Sequence, residues 1–298
     1  MRSKLLFLFS VVLVAAFGYV ASIGMRSSTD ETPEPAMLIG AGDIADCERD
    51  TDEKTAALLD RFPSAAVFTT GDNVYPSGKL DTYERCYEPS WGRAKARTRP
   101  ASGNHDFAEG IEGYFAYFGK SAGTEGKAYY SYDLGGWHIV VLDSECRDGC
   151  NLGSKQYEWL KHDLEASLSS CTMAMWHHPV FSSGMHGDSY RALGLWELLY
   201  DFSAEVVVNG HDHSYERFAP QNKKGEADPQ GIREFVVGTG GKDLYTNRTI
   251  RPNSEIRNTE TFGVMKFDLR PGSYAWEFIP VEGSTFTDRG EGTCFTRQ

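Results

Sequence analysis

The chain has 298 residues, 40% of them hydrophobic and 13% aromatic, with a formal net charge of −12. This apolar share suits one large core rather than two and argues against intrinsic disorder. No basic stripe interleaved with aromatics is present, which argues against a nucleic-acid scaffold.

At the amino terminus Arg2 and Lys4 precede an apolar run over residues 5–21, and small residues follow it. The pattern is that of an export signal. Residues 1–24 are read as a signal peptide, cleaved near Gly18 or Ser22, in preference to a retained membrane anchor. Residues 25–35, rich in Ser, Thr, Glu and Pro, read as a polar linker, and residues 36–298 as one catalytic domain.

The first strand signal, residues 36–41, runs into Gly42-Asp43. Residues 52–61 then carry apolar positions at helical spacing. A second apolar run, residues 65–70, ends in Gly71-Asp72-Asn73-Val74-Tyr75, and Gly103-Asn104-His105-Asp106 follows. Residues 128–134 and 137–143 flank Gly135-Gly136 and predict a hairpin. A helix is expected over residues 155–168, with Tyr157, Leu160, Leu164 and Leu168 on one stripe and Ser154 as its cap. Residues 171–176 deliver His177-His178-Pro179, and residues 205–209 run into Gly210-His211-Asp212-His213. Residues 235–237, 261–269 and 273–280 read as further strands.

Metal and phosphate sites in open α/β sheets collect where loops leave the carboxyl ends of strands. Each of these signatures contains a metal-capable side chain, and most follow an apolar run. Two ions about 3.5–4 Å apart need a shared anionic oxygen, terminal oxygen and nitrogen donors, and open positions. Asp43, Asp72, Tyr75, Asn104, His177, His211 and His213 supply such a set.

On these motifs the chain resembles a calcineurin-like metallophosphoesterase, and within that superfamily a purple acid phosphatase. The first motif, Gly42-Asp43-Ile44-Ala45, lacks the histidine usual in the wider superfamily, and Tyr75 stands three residues after the second aspartate. The run from Gly210 to Arg217 also resembles the last motif of purple acid phosphatases. Ala45 stands where that family usually has glycine. The resemblance implies an α/β fold with two mixed β-sheets packed face to face and flanked by helices, a four-layer sandwich. It also implies one metal on Asp43, Tyr75 and His213, a second on Asn104, His177 and His211, and Asp72 bridging both. A phenolate is a hard anionic donor suited to Fe(III), whereas the second site suits Fe(II), Zn or Mn. His105 and His186 are then expected to line the site, and Asp106 to act beside His105, for example by orienting an imidazole.

The function so implied is an exported phosphatase hydrolysing phosphomonoesters by attack of a metal-bound hydroxide, its substrate being a phosphate ester. A phosphodiesterase or nucleotide hydrolase is the alternative within the same chemistry, because leaving-group choice lies in loops over residues 83–91, 107–118 and 242–258. A noncatalytic exported binding protein is the alternative from another class, and the full donor set argues against it. His178 is read as packing or solvent-facing, Asp212 as pointing away from its flanking histidines, and His138 and His162 as structural.

Cys47, Cys86, Cys146, Cys150, Cys171 and Cys294 form an even set without zinc-ribbon spacing. In an exported protein they read as disulfides, with fifteen pairings open. Cys146 with Cys150 is the best local guess, and Cys47 with Cys86 and Cys171 with Cys294 are preferred among the three pairings then left. Asn247-Arg248-Thr249 is a sequon that matters only in a glycosylating cell.

Overall fold

The computed structural model describes residues 33–295, so the predicted export segment and most of the linker lie outside the described residues. Among the described residues no helix is long and apolar enough to cross a membrane.

Two mixed sheets form the fold. The six-stranded sheet has the order Arg289–Thr293, Ser273–Pro280, Gly263–Arg270, Ala36–Ala41, Ala66–Thr70 and Thr98–Ala101. The last three run parallel, and Ala36–Ala41 pairs antiparallel with Gly263–Arg270. The seven-stranded sheet has the order Ser254–Asn258, Tyr215–Phe218, Arg233–Val237, Val206–Asn209, Cys171–Met175, Trp137–Val141 and Tyr130–Leu134. Its centre is parallel and its flanking hairpins antiparallel.

The period-2 alternation of strands decides the layers. Ile139 and Val141, Met173 and Met175, Val206 and Val208, and Phe235 and Val237 join the core shared with Leu38, Phe68 and Phe267 of the other sheet. Their alternating neighbours Val140, Ala174, Val207 and Val236 face a second cluster with Leu160, Leu164, Leu195, Trp196 and Leu199. Those five residues come from the helices Lys155–Ala166 and Leu193–Asp201, so the helices cover the outer face. Aromatic rings stitch the sheets together: Phe235 lies 5.5 Å from Phe267, and Trp137 lies 5.3 Å from Tyr274, centroid to centroid. Burying each such ring contributes about 1.5–3 kcal/mol.

The helix expected over residues 155–168 ends at Ala166, because Ser167 is already extended on the way to the strand at Cys171. Leu168 therefore leaves the apolar stripe and is fully exposed. Ser154 occupies the cap position, yet its hydroxyl makes no capping bond and has no partner among the described residues. The hairpin turn lies at Gly135 and Gly136, with φ of 61° and 81°, which glycine alone adopts without strain. Ala45 is fully buried in a two-residue strand, Ala45–Asp46, paired with Val74–Tyr75, so the extra methyl is accommodated.

All six cysteines are paired, as Cys47–Cys86, Cys146–Cys150 and Cys171–Cys294. The last ties the strand leading to His177 to the far end of the domain.

Candidate metal centre

The parallel strands deliver their motifs to one edge of the sandwich. Asp43 follows Ala36–Ala41, Asp72 follows Ala66–Thr70, Asn104 follows Thr98–Ala101, His177 follows Cys171–Met175 and His211 follows Val206–Asn209. Three of these residues hold positive φ without being glycine: Asp43 at 59°, Asp72 at 47° and His211 at 69°. Such conformations cost roughly 1–3 kcal/mol each and gather at functional sites. Gly103 and Gly210 make room for them. A Cβ at Gly103 would lie 2.3 Å from Asp72 Oδ1, and one at Gly210 would lie 2.6 Å from Asp43 Oδ2.

The donor atoms form two groups. In the first, Tyr75 Oη lies 2.9 Å from Asp43 Oδ1, 3.1 Å from Asp72 Oδ2 and 3.2 Å from His213 Nε2. In the second, His177 Nε2 lies 3.2 Å from Asp72 Oδ2, 3.1 Å from Asn104 Oδ1 and 3.2 Å from His211 Nδ1. Asp72 Oδ2 belongs to both groups. Its other oxygen, Oδ1, accepts the His105 backbone N–H at 2.7 Å, which fixes the carboxylate plane.

Donors about 3 Å apart are what ligands at about 2.1 Å around one ion present to each other. The imidazoles are oriented for that role. His177 Nδ1 lies 2.9 Å from the Thr70 carbonyl and His213 Nδ1 lies 2.6 Å from the Asp243 carbonyl, leaving each Nε2 free to face the site. Burial, together with the Asp43 and Asp72 carboxylates, pushes the Tyr75 hydroxyl far above its ordinary range. Burial opposes the charged forms of Asp43 and Asp72, yet the imidazoles beside them, His213 and His177 respectively, hold both below the usual carboxylate value. His177, buried but facing Asp72, is raised to about 9. A buried phenol between two carboxylates is a set that cations reconcile, so the residues present fit the implied metals. One ligand atom from each of Asp43, Asp72 and His177 lies within 4.8 Å of the others.

The remaining predicted residues divide. His105 Nδ1 lies 2.8 Å from the Pro76 carbonyl, and its Nε2 lies 4.0 Å from Asp72 Oδ2 on the open side. The His186 ring lies 4.3 Å from that of His211. Asp106, by contrast, is fully buried and orients no imidazole. It accepts from Gly103 N, from Asn73 N and Nδ2, and from the Tyr83 hydroxyl, and so braces the loops carrying Asp72 and Asn104. The expectation that Asp106 orients a neighbouring imidazole is thereby corrected: from the helical turn Asn104–Phe107 its hydrogen bonds go to Gly103, Asn73 and Tyr83 instead.

His178 packs, as expected. Burial and the neighbouring His177 charge push it down to about 2, so it is neutral, and its Nδ1 lies 2.9 Å from Ser144 Oγ. His138 lies 3.0 Å from Asp133 and 2.8 Å from Asp163, well away from the centre. Tyr245 went unrecognised in the sequence: its ring stacks on His213 at 4.0 Å and 11°. No motif marks it, since it arrives from a loop late in the chain. A cavity of about 430 Å³, lined by Asn104, Glu145, His178, His186, Arg191 and His211 among others, opens beside the second donor group. A separate groove of about 870 Å³ lies at the opposite ends of the strands against Pro35, Arg97, Tyr132 and Arg270, and none of the donors lines it.

Sheets that deliver two Asp-bridged donor groups to one edge define a metallophosphoesterase architecture. The chain belongs to the calcineurin-like phosphoesterase family, whose family model matches residues 30–215. It is 32% identical to purple acid phosphatase 15 of Arabidopsis thaliana, over 88% of this chain and 51% of that protein. It is 27% identical to acid phosphatase type 7 of Mus musculus, over 70% of this chain and 56% of that protein. The chain thus spans about half the length of the curated relatives it matches. Among solved structures, a purple acid phosphatase from yellow lupin seeds superimposes with a TM-score of 0.67 at 18% identity, covering 88% of this chain and 54% of that one. An inner-membrane-complex anchor of Plasmodium superimposes with a TM-score of 0.66 at 13% identity, covering 89% and 90%. Both are likenesses of fold.

Proposed function

We propose that the chain is an exported phosphatase that hydrolyses phosphomonoesters at a two-metal centre. Fe(III) is assigned to Asp43, Tyr75 and His213, and Fe(II), Zn or Mn to Asn104, His177 and His211, with Asp72 shared. The observation that carries the reading is the position of Tyr75 Oη, within 3.2 Å of Asp43, Asp72 and His213 donor atoms at once. Two cations bound there supply Lewis-acid charge for the phosphoryl group and lower the pKa of water. The chain's own residues do the rest. His105 is poised to donate a hydrogen bond to a phosphate oxygen on the Asp72 side, and His186, above His211, to hand a proton to the leaving alkoxide. The cavity beside the second donor group is lined by polar side chains, among them Glu145, His186 and Arg191, which suits a hydroxylated or charged ester. Three disulfides support an oxidising, extracytoplasmic location, and the export segment read from the sequence points the same way.

The test is the visible spectrum and metal content of the purified protein, with hydrolysis of 4-nitrophenyl phosphate and bis(4-nitrophenyl) phosphate. A charge-transfer band that vanishes in Tyr75→Phe, with the monoester preferred, is expected. Full activity and metal content without such a band would remove Tyr75 from the ligands, and preference for the diester would replace the monoester reading. N-terminal sequencing of protein recovered outside the cell tests export and cleavage together.

A further inference from the structure

Asp212 sits between two of the donor histidines, and its side chain leaves the centre altogether. It is fully buried, with Oδ1 accepting the backbone N–H of His186 at 2.8 Å and Oδ2 accepting the Ser182 hydroxyl. Ser182 Oγ in turn accepts the Gly184 N–H at 3.0 Å. Gly184 is shaped around this carboxylate, because a Cβ there would lie 2.2 Å from Asp212 Cγ. One acidic side chain thus anchors the 182–186 segment by both oxygens.

Its own backbone is equally constrained. Asp212 N donates to Gly210 O at 2.8 Å, and Ser214 N donates to Asp212 O at 2.7 Å. His211, immediately before it, presents Nδ1 to the second donor group and places its ring 4.3 Å from that of His186. The side chain that would bind metal and the side chain that holds the His186 loop therefore leave adjacent residues on opposite sides of one tight turn. Two further buried carboxylates secure the rest of the loop: Glu234 accepts Val180 N at 3.1 Å, and Glu216 accepts Ser183 N at 2.8 Å. Among the described residues, Asp212 supplies the side-chain hydrogen bonds that join this loop to the donor turn.

We propose that Asp212 is a positioning residue that fixes His186 over the site, coupling the loop that addresses substrate to the turn that binds metal. The inference rests on the phosphatase reading for its kinetic consequence, but not for its structural one. The carboxylate holds the His186 N–H and so fixes the backbone from which the imidazole reaches to 4.3 Å from the His211 ring. Losing a buried acceptor for a charge-assisted bond strands the amide and frees the segment.

The experiment compares wild type, Asp212→Ala, Asp212→Asn, Ser182→Ala, His186→Ala and the Asp212→Ala/His186→Ala double variant, each with its metal content determined. Hydrogen exchange over residues 180–190 gives a readout independent of catalysis. Asp212→Ala is expected to speed exchange there about tenfold or more, with protection over residues 171–175 and 206–209 unchanged. Ser182→Ala, which leaves Asp212 in place, should produce a smaller change in the same peptide. Asp212→Asn keeps an acceptor oxygen and should largely restore protection. In hydrolysis of 4-nitrophenyl phosphate, Asp212→Ala and His186→Ala should lower kcat alike, and the double variant should be no slower than His186→Ala alone. Unchanged exchange in both Asp212→Ala and Ser182→Ala would overturn the proposal. So would multiplicative rate losses in the double variant, or protection lost throughout the domain in Asp212→Asn as well. A wild type inert toward phosphate esters would instead remove the phosphatase reading, and the exchange data would still decide the role of Asp212.

Discussion

Replacement of Asp106 separates a brace from a catalyst. Its carboxyl is fully buried and pushed up to about 6, by burial first and by the nearby Asp72 charge second. It accepts Gly103 N at 2.8 Å, Asn73 N at 3.2 Å and Asn73 Nδ2 at 3.0 Å, and it also accepts the Tyr83 hydroxyl. Asn73 Nδ2 has a second acceptor, the Ala101 carbonyl at 2.8 Å. Asp106→Ala therefore strands two backbone N–H groups and one phenol, each at about 1–3 kcal/mol, while sparing the burial of an acidic group. The expected net loss is about 3 kcal/mol, and about 1–2 kcal/mol for Asp106→Asn, which keeps one acceptor oxygen. Urea titration of the metal-loaded protein measures both. The pH dependence of kcat/KM in Asp106→Asn should keep its wild-type shape, because Asp106 touches neither substrate nor donor atom. A stability within about 0.5 kcal/mol of wild type in Asp106→Ala, or loss of one limb of the pH profile in Asp106→Asn, would refute the reasoning.

Asp72→Asn removes the one charge common to both donor groups, so elemental analysis should find both metals depleted; full stoichiometry would mean that Asp72 does not bridge. Asp143 gives a pH signature of its own. Burial raises its carboxyl to about 6 against an ordinary 3.8, so the folded state holds a proton between those values that the unfolded state has lost. Asp143 should therefore contribute a fall in stability of on the order of 2–3 kcal/mol as pH rises from about 4 to about 6, and Asp143→Asn should make the slope in urea melts shallower by that share, leaving the part due to Asp106. The disulfides should rank by the loop they close. With separations of 123 and 4 residues, removing Cys171–Cys294 should cost about 3 kcal/mol more than removing Cys146–Cys150 on chain entropy, as denaturation of the paired Cys→Ala variants would measure. Equal losses would show that native packing, rather than loop closure, sets their worth.

Most of the donor set was legible because it is local. A strand that ends in Gly-Asp or Gly-His announces itself through an apolar run and the backbone freedom its loop needs, and Tyr75 lies three residues from Asp72 on the same segment. Most strands were legible from apolar runs, with ends moved by a residue or two, but Thr98–Ala101, Tyr215–Phe218, Ser254–Asn258 and Arg289–Thr293 went unread because they carry no such run. Leu168 misled because helical spacing continues past the point where the backbone must turn toward Cys171. Asp106 misled because adjacency to His105 says nothing of direction, and from the turn Asn104–Phe107 its hydrogen bonds go to Gly103, Asn73 and Tyr83 instead.

By itself, then, the sequence determined which residues carry metal-capable side chains, that most of them follow strand ends, and the family they mark, since each of these is written in short-range chemistry. Only the tertiary structure decided that Asp72 Oδ2 serves both donor groups, that Tyr245 stacks on His213 and that Asp212 grips the His186 loop. Apart from Tyr75 beside Asp72, those contacts join segments tens of residues apart, and they exist only once strands distant in sequence have been set side by side within a sheet or across the two sheets.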